Sequence, residues 1–274
     1  MSSDKPAASV PRVAALYRYP VKGFTPESCE SLTVLEEGRI AGDRVLGIRF
    51  ADAGGAQDDW CKKQAFLSLM NTPGLARLSL KFDHQRLHLT MSLGDKLMSE
   101  AGLDKTGRQR IVEMITQYVL DLHENPLQKN PERLPLNLVG DGISPRYQDS
   151  SAGRVTLHGR ESLLAVAGML DSSELDERRF RSNIAVEGLN PWEEQGWIGK
   201  VVSIGEVRFR GFAAKERCLA THANPETGAR DLPVLKALLN SYDTKKPVFA
   251  ISLMPENSGI IRIGDPVLCS DVCA

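Results

Sequence analysis

Residues 125–136 read NPLQKNPERLPL, with three prolines in twelve positions. Proline lacks a backbone N–H and clashes with the preceding turn, so an α-helix does not run through this stretch. Each residue before a proline is also driven towards extended backbone. The segment predicts a break in the chain, and the pattern can be read outward from it. On its N-terminal side, residues 105–123 space Ile111, Met114, Ile115, Tyr118, Val119 and Leu122 three and four apart, as one amphipathic helix. Further back lie predicted strands: Arg12 to Tyr19, and Val45 to Phe50 ahead of the turn residues ADAGG. Leu75 to Phe82 and Leu87 to Met91 flank Asp83-His84-Gln85 as a hairpin.

On the C-terminal side, strands are predicted at Arg154–Leu157, Ile184–Glu187, Lys200–Ile204, Glu206–Phe212, Val248–Met254 and Ile260–Ile263. Helix is limited to Leu163–Leu170, with Ser162 as its cap, and Leu232–Asn240, with Pro233 in its first turn. The fold class is therefore α+β and strand-rich, without the regular β-α alternation of a doubly wound sheet. The expected organisation is one unit over residues 9–124, a Pro-rich linker over 125–139 and a second unit over 140–270.

Composition narrows the function. The 274 residues are 42% hydrophobic and 25% charged, which argues for a globular chain. With 34 Lys+Arg against 35 Asp+Glu, there is no global field for nucleic acid or an anionic membrane. No apolar run reaches the ~18 residues of a membrane span. The first residues, MSSDKPAASVPR, lack the apolar core of a signal peptide, so a cytoplasmic protein is expected. Five cysteines at 29, 61, 218, 269 and 273 are too few and too scattered for a disulfide framework. Cys269 and Cys273 are expected to be peripheral thiols, since a zinc site needs four ligands.

No GxGxxG, GxxxxGK[ST], GxSxG or HExxH occurs. Three polar clusters remain. The first joins Tyr19-Pro20-Val21-Lys22-Gly23 to Gly42-Asp43-Arg44, the second is Arg178-Arg179-Phe180-Arg181-Ser182-Asn183, and the third is Lys215-Glu216-Arg217-Cys218. Singly, each reads as surface charge, an ion-pair network or a small buried thiol. Together they point elsewhere. Lys215 and Arg217 favour the thiolate of Cys218, the form that binds soft metals. The other arginines and Lys22 suit phosphate, which a guanidinium grips bidentately. A thiolate among such cations suggests a metal held by an anionic organic cofactor.

At these residues the sequence resembles the MOSC family, in which a MOSC domain often follows an N-terminal β-barrel domain. YPVKG and GDR resemble that first domain. RRFRSNI, PWEEQGWIGKVVSIGEV, RCLATHANPETG and GIIRIGDPV resemble the second. The resemblance implies an N-terminal β-barrel-like domain and a β-barrel-containing MOSC domain with short helices. It implies the molybdenum cofactor (Mo-molybdopterin), with Cys218 as metal ligand and catalytic residue. Lys22, Arg44, Ser162, Arg181, Asn183 and Arg217 would bind that cofactor. Two-domain members such as the amidoxime-reducing component reduce N-hydroxylated small molecules. This chain carries no iron–sulfur or flavin signature, so a separate electron-donating reductase is the expected partner. His222 is either a proton donor or a structural loop histidine. Ser182, Lys215, Gly23 and Asn224 depart from common family residues, which bears on the substrate. The alternative reading is a sulfur carrier or sulfurtransferase. Cys218 would hold a persulfide supplied by a pyridoxal-phosphate-dependent cysteine desulfurase. A cofactor-binding module without catalysis is a third reading.

Overall fold

A computed structural model of the chain describes residues 10–56, 59–172, 174–241 and 245–271. Cys273 and residues 1–9 lie outside the described residues. The first part of the chain forms β1 (Arg12–Arg18), β2 (Glu27–Cys29), β3 (Ser31–Val34) and β4 (Gly47–Arg49). It continues through β5 (Leu78–Asp83), β6 (His88–Leu93), β7 (Lys96–Gly102), helix α1 (Lys105–Leu120) and β8 (Asn137–Val139). The remainder forms β9 (Val155–Gly159), α2 (Arg160–Met169), β10 (Ile184–Glu187), β11 (Val201–Ile204) and β12 (Val207–Glu216). It ends with α3 (Val234–Leu239), β13 (Val248–Pro255), β14 (Gly259–Arg262) and β15 (Val267–Ser270). The chain is thus strand-rich and α+β.

Eight strands make the principal sheet, in the order β15-β11-β12-β13-β9-β10-β1-β2. Its far strands come back together. Val13 donates its N–H to Asp265 O (2.9 Å) and Val267 donates to Pro11 O (2.8 Å), while Arg12 bridges Pro266. The sheet therefore curls on itself around an apolar interior. That interior holds Val13, Leu16, Val155, Leu157, Ile184, Val202, Phe209, Ile251 and Leu253. The alternation of side chains along a strand explains what faces outward. Val155 and Leu157 enter the core, so Thr156 and His158 point to the other face, as does Ser252 between Ile251 and Leu253.

A second core lies under the hairpin. β5 buries Leu78, Leu80 and Phe82 on strict alternation, and β6 adds Leu89 and Met91. Ile111, Ile115 and Val119 of α1 belong to the same cluster. Asp104 caps α1 by accepting from Thr106 N and Gly107 N, both at 3.0 Å. The helix stops at Leu120, three residues before its expected end. Across the Pro-rich stretch only the single 3-10 turn Pro131–Arg133 forms.

Three local expectations need correction. Helix α2 starts at Arg160 and is capped by the Gly159 backbone, not by Ser162, which sits inside the helix. Strand β9 feeds the helix directly and leaves Ser162 a different partner. Leu75 belongs to a 3-10 turn, Pro73–Arg77, so β5 begins only at Leu78. Near Val45–Phe50 only Gly47–Arg49 pairs as a strand, with β8.

Gly211 of β12 marks a close approach of backbones. A Cβ there would lie 2.0 Å from Trp197 O, on the turn Glu193–Trp197. Gly211→Ala is expected to cost about 2 kcal/mol or more in urea or thermal unfolding. Gly196→Ala, in the same turn but with nothing within 4 Å, is expected to change stability little.

Candidate functional site

The outward face of the sheet is the floor of a cavity of about 500 Å3. Register aligns Ala213, Ser252 and Thr156 across β12, β13 and β9. Nine lysines and arginines line this space against two carboxylates, Asp149 and Glu216. Cys218 also lines it, as a free, half-buried thiol at the start of the 3-10 turn Leu219–His222.

The chain delivers these groups from both of its halves. β1 leads into Tyr19, Lys22 and Gly23, and the antiparallel pairing of β1 with β10 sets this segment beside Arg181-Ser182-Asn183. Tyr17 N donates to Asn183 O (2.8 Å), and Asn183 Nδ2 returns a bond to Tyr17 O (3.2 Å). Asn183 Oδ1 accepts from the Thr156 hydroxyl at 3.2 Å. Asn183 thereby ties β9, β10 and β1 together at the floor.

Tyr19 is fully buried and carries two cations on its ring. The Arg44 guanidinium lies 4.8 Å and that of Arg181 4.3 Å from the ring centroid. Both arginines adopt left-handed backbone, φ 54° and 53°, which costs a non-glycine residue of order 1 kcal/mol or more. Asp43 organises the group by accepting from Tyr19 N (2.8 Å) and pairing with Arg44. Arg181 donates to Phe24 O, and Arg217 donates through Nε to Phe249 O at 2.8 Å. The Lys22 ammonium, 4% exposed, reaches Asp149 (2.7 Å) and Tyr147 O (2.8 Å).

Charge crowding shows in the titration of these groups. Burial, then the neighbouring Arg44, brings Arg181 down to about 10 although Tyr19 opposes it. Burial brings Arg217 down to about 10 against the pull of the Cys218 sulfur. Lys22 is lowered by burial, with Asp149 opposing, and Lys215 by burial and Arg217. Burial pushes the Tyr19 phenol up to about 12. Cations depressed in this way are incompletely neutralised by the protein, and an anion entering the cavity would raise their pKa values again.

The profile of the MOSC domain matches residues 145–268, and that of the MOSC N-terminal beta barrel domain matches residues 10–119. The chain belongs to the MOSC family. Similar proteins include mitochondrial amidoxime-reducing component 1 of Homo sapiens, 25% identical over 93% of this chain and 82% of its own length. The same component of Mus musculus is 34% identical over 38% of this chain and 35% of its own length. The molybdenum cofactor sulfurase of Homo sapiens is 36% identical over 24% of this chain and 7% of its own. The chain thus matches about a third of the mouse protein and a small part of the sulfurase. No helix among the described residues is long and apolar enough to cross a membrane.

Six residues singled out from the MOSC motifs line the one cavity: Lys22, Arg44, Arg181, Asn183, Arg217 and Cys218. Ser162 does not join them. Its side chain is fully buried, accepts from Trp192 N (2.7 Å) and donates to Glu194 (2.8 Å), which commits its one proton. His222 does not line the cavity, and its Nε2 accepts from Leu235 N (3.2 Å) in the first turn of α3. Arg154, Phe212 and Asp149 also line the space and were not read from the sequence. The GDR motif held one further hint, since Asp43 beside a basic residue and a glycine organises the Tyr19 cluster.

Glu194 gives this region a pH signature. Its carboxyl is buried and Oε1 has no partner among the described residues. Burial raises its pKa above the ordinary 4.5, against the Ser162 hydrogen bond. A raised carboxyl contributes stability below 4.5 and loses it as pH climbs through the folded value. The Tm of Glu194→Gln is therefore expected to gain on the native Tm as pH rises above 4.5. A difference that stays constant with pH would contradict this burial account.

Proposed function

We propose that this MOSC protein binds the molybdenum cofactor in the cavity below Cys218 and reduces N-hydroxylated small molecules there. The observation that carries the reading is the free Cys218 thiol on a cavity whose cations outnumber its carboxylates nine to two. Among the described residues no three His, Cys, Asp or Glu side chains cluster to hold a metal alone. A metal on Cys218 would therefore take its other ligands from an organic group, and the surrounding cations suit one bearing a phosphate.

Each residue has a role in this reading. Cys218 supplies the protein sulfur to molybdenum. Lys22, Arg44, Arg181 and Arg217 neutralise the phosphate and orient the pterin, and Asn183 fixes the loop that presents Arg181. When bound, the cofactor supplies two-electron redox chemistry at its metal. The chain itself holds the anion, keeps Cys218 oriented at the turn and shapes the pocket in which the substrate nitrogen sits. Electrons come from a separate reductase. The names of the amidoxime-reducing relatives support the reaction class. The same reading keeps residues 9–124 as the barrel-like domain, 125–139 as the linker and 140–270 as the MOSC domain.

Metal analysis tests the ligand. Protein from a host that makes the cofactor is expected to contain molybdenum, and Cys218→Ala is expected to lose most of it together with amidoxime reduction. Cys29→Ala should keep both. Equal molybdenum in the native and Cys218→Ala proteins would overturn the assignment. Similarity to a molybdenum cofactor sulfurase supplies the rival, a sulfur carrier. A persulfide on Cys218 in pterin-free protein, formed with a cysteine desulfurase, would favour that rival.

A further inference from the structure

The cations of the cavity divide by what they already hold. Lys22, Arg44, Arg181 and Arg217 each donate to a carbonyl or carboxylate of the protein. Arg154 and Lys215 make no such bond among the described residues, and the Arg154 Nε is buried without a partner. Lys62 and Lys63 also make no such bond among the described residues, at the start of the 3-10 turn Lys63–Ala65. Arg154 and Lys215 differ from these two because the sheet holds them. Arg154 immediately precedes β9, and Lys215 lies near the end of β12. The Arg154 guanidinium is stacked 3.4 Å over the ring of Phe212, which is 45% exposed.

Stacking fixes the plane of the Arg154 fork while leaving its N–H donors unspent. Lys215 adds a second cation, whose pKa burial and Arg217 lower against the pull of Asp149. A partly desolvated cation without a direct ion-pair partner costs free energy, and a compact oxyanion would supply that partner to both. Phe212 adds apolar surface for the body of the same molecule.

We propose that Arg154 and Lys215 form a substrate subsite for a carboxylate, with Phe212 against the adjoining ring or chain. The substrate class of this cavity is then a small N-hydroxylated molecule that also bears a carboxylate. The inference rests on the proposed function only in calling the bound molecule a substrate. The competing source of an anion is the cofactor's own phosphate, and the experiment separates the two.

Benzoate and benzamide, matched in shape and differing in charge, are titrated by calorimetry into the protein as isolated from a cofactor-making host. Benzoate is expected to bind roughly tenfold or more tightly than benzamide, the scale of one hydrogen-bonded charge. Arg154→Gln and Lys215→Met are each expected to erase most of that preference, while pterin per chain stays at the native level. Arg154→Lys, which keeps charge but not the fork, should retain part of it and guards against a folding defect. Equal binding of the two probes overturns the subsite. Loss of pterin in Arg154→Gln also overturns it, by assigning these cations to the cofactor. Should the isolated protein carry no pterin, the proposed function fails, yet the comparison of probes and variants still decides the subsite.

Discussion

The antiparallel pairing of β1 with β10 is the constraint on which the site depends. Leu16 opposite Ile184 sets the register, and the paired bonds between Tyr17 and Asn183 lock it. In a strand, a slip of one residue would turn every side chain to the other face. Val13 and Leu16 would then leave the apolar interior, and Lys22 and Arg44 would no longer meet Arg181. The hydrophobic core and the polar cavity are therefore specified by the same hydrogen bonds, on opposite faces of one sheet.

That arrangement accounts for the electrostatics. Burying several cations around Tyr19 is unfavourable alone, and the structure offsets part of the cost with Asp43, Asp149 and backbone carbonyls. The offset is incomplete, as the lowered pKa values of Arg181 and Arg217 show. Two arginines in left-handed backbone point the same way, since strain persists where the surroundings over-determine it. A cavity of this kind holds binding energy in reserve for an anionic ligand.

Much of this was legible in the residues. Strict alternation made β5 and β6 readable, and the three- and four-residue spacing did the same for α1. β7 was not foreseen because its pattern is inverted: Ser99 and Ala101 are buried while Leu97 is 55% exposed. β15 escaped for a similar reason, burying only Val267 of its four residues. Motif residues on loops beside strands, Lys22, Arg181 and Cys218, converge because their flanking strands share one sheet, and Arg44 joins them by donating its N–H to Tyr19 O just after β1. Ser162 fails because the helix starts earlier than its capping potential suggests, and Glu194 then takes its hydroxyl. Arg154 and Phe212 carry no local signal. Only the alignment of β9, β13 and β12 brings them together.

The central claim is that the ring of cations around Cys218 exists to hold a metal-bearing pterin. It is tested most directly by assaying molybdenum and pterin together on native protein purified from a cofactor-synthesising host. The account predicts both, in equal amounts and approaching one per chain. Protein that arrives folded and carries neither would contradict it.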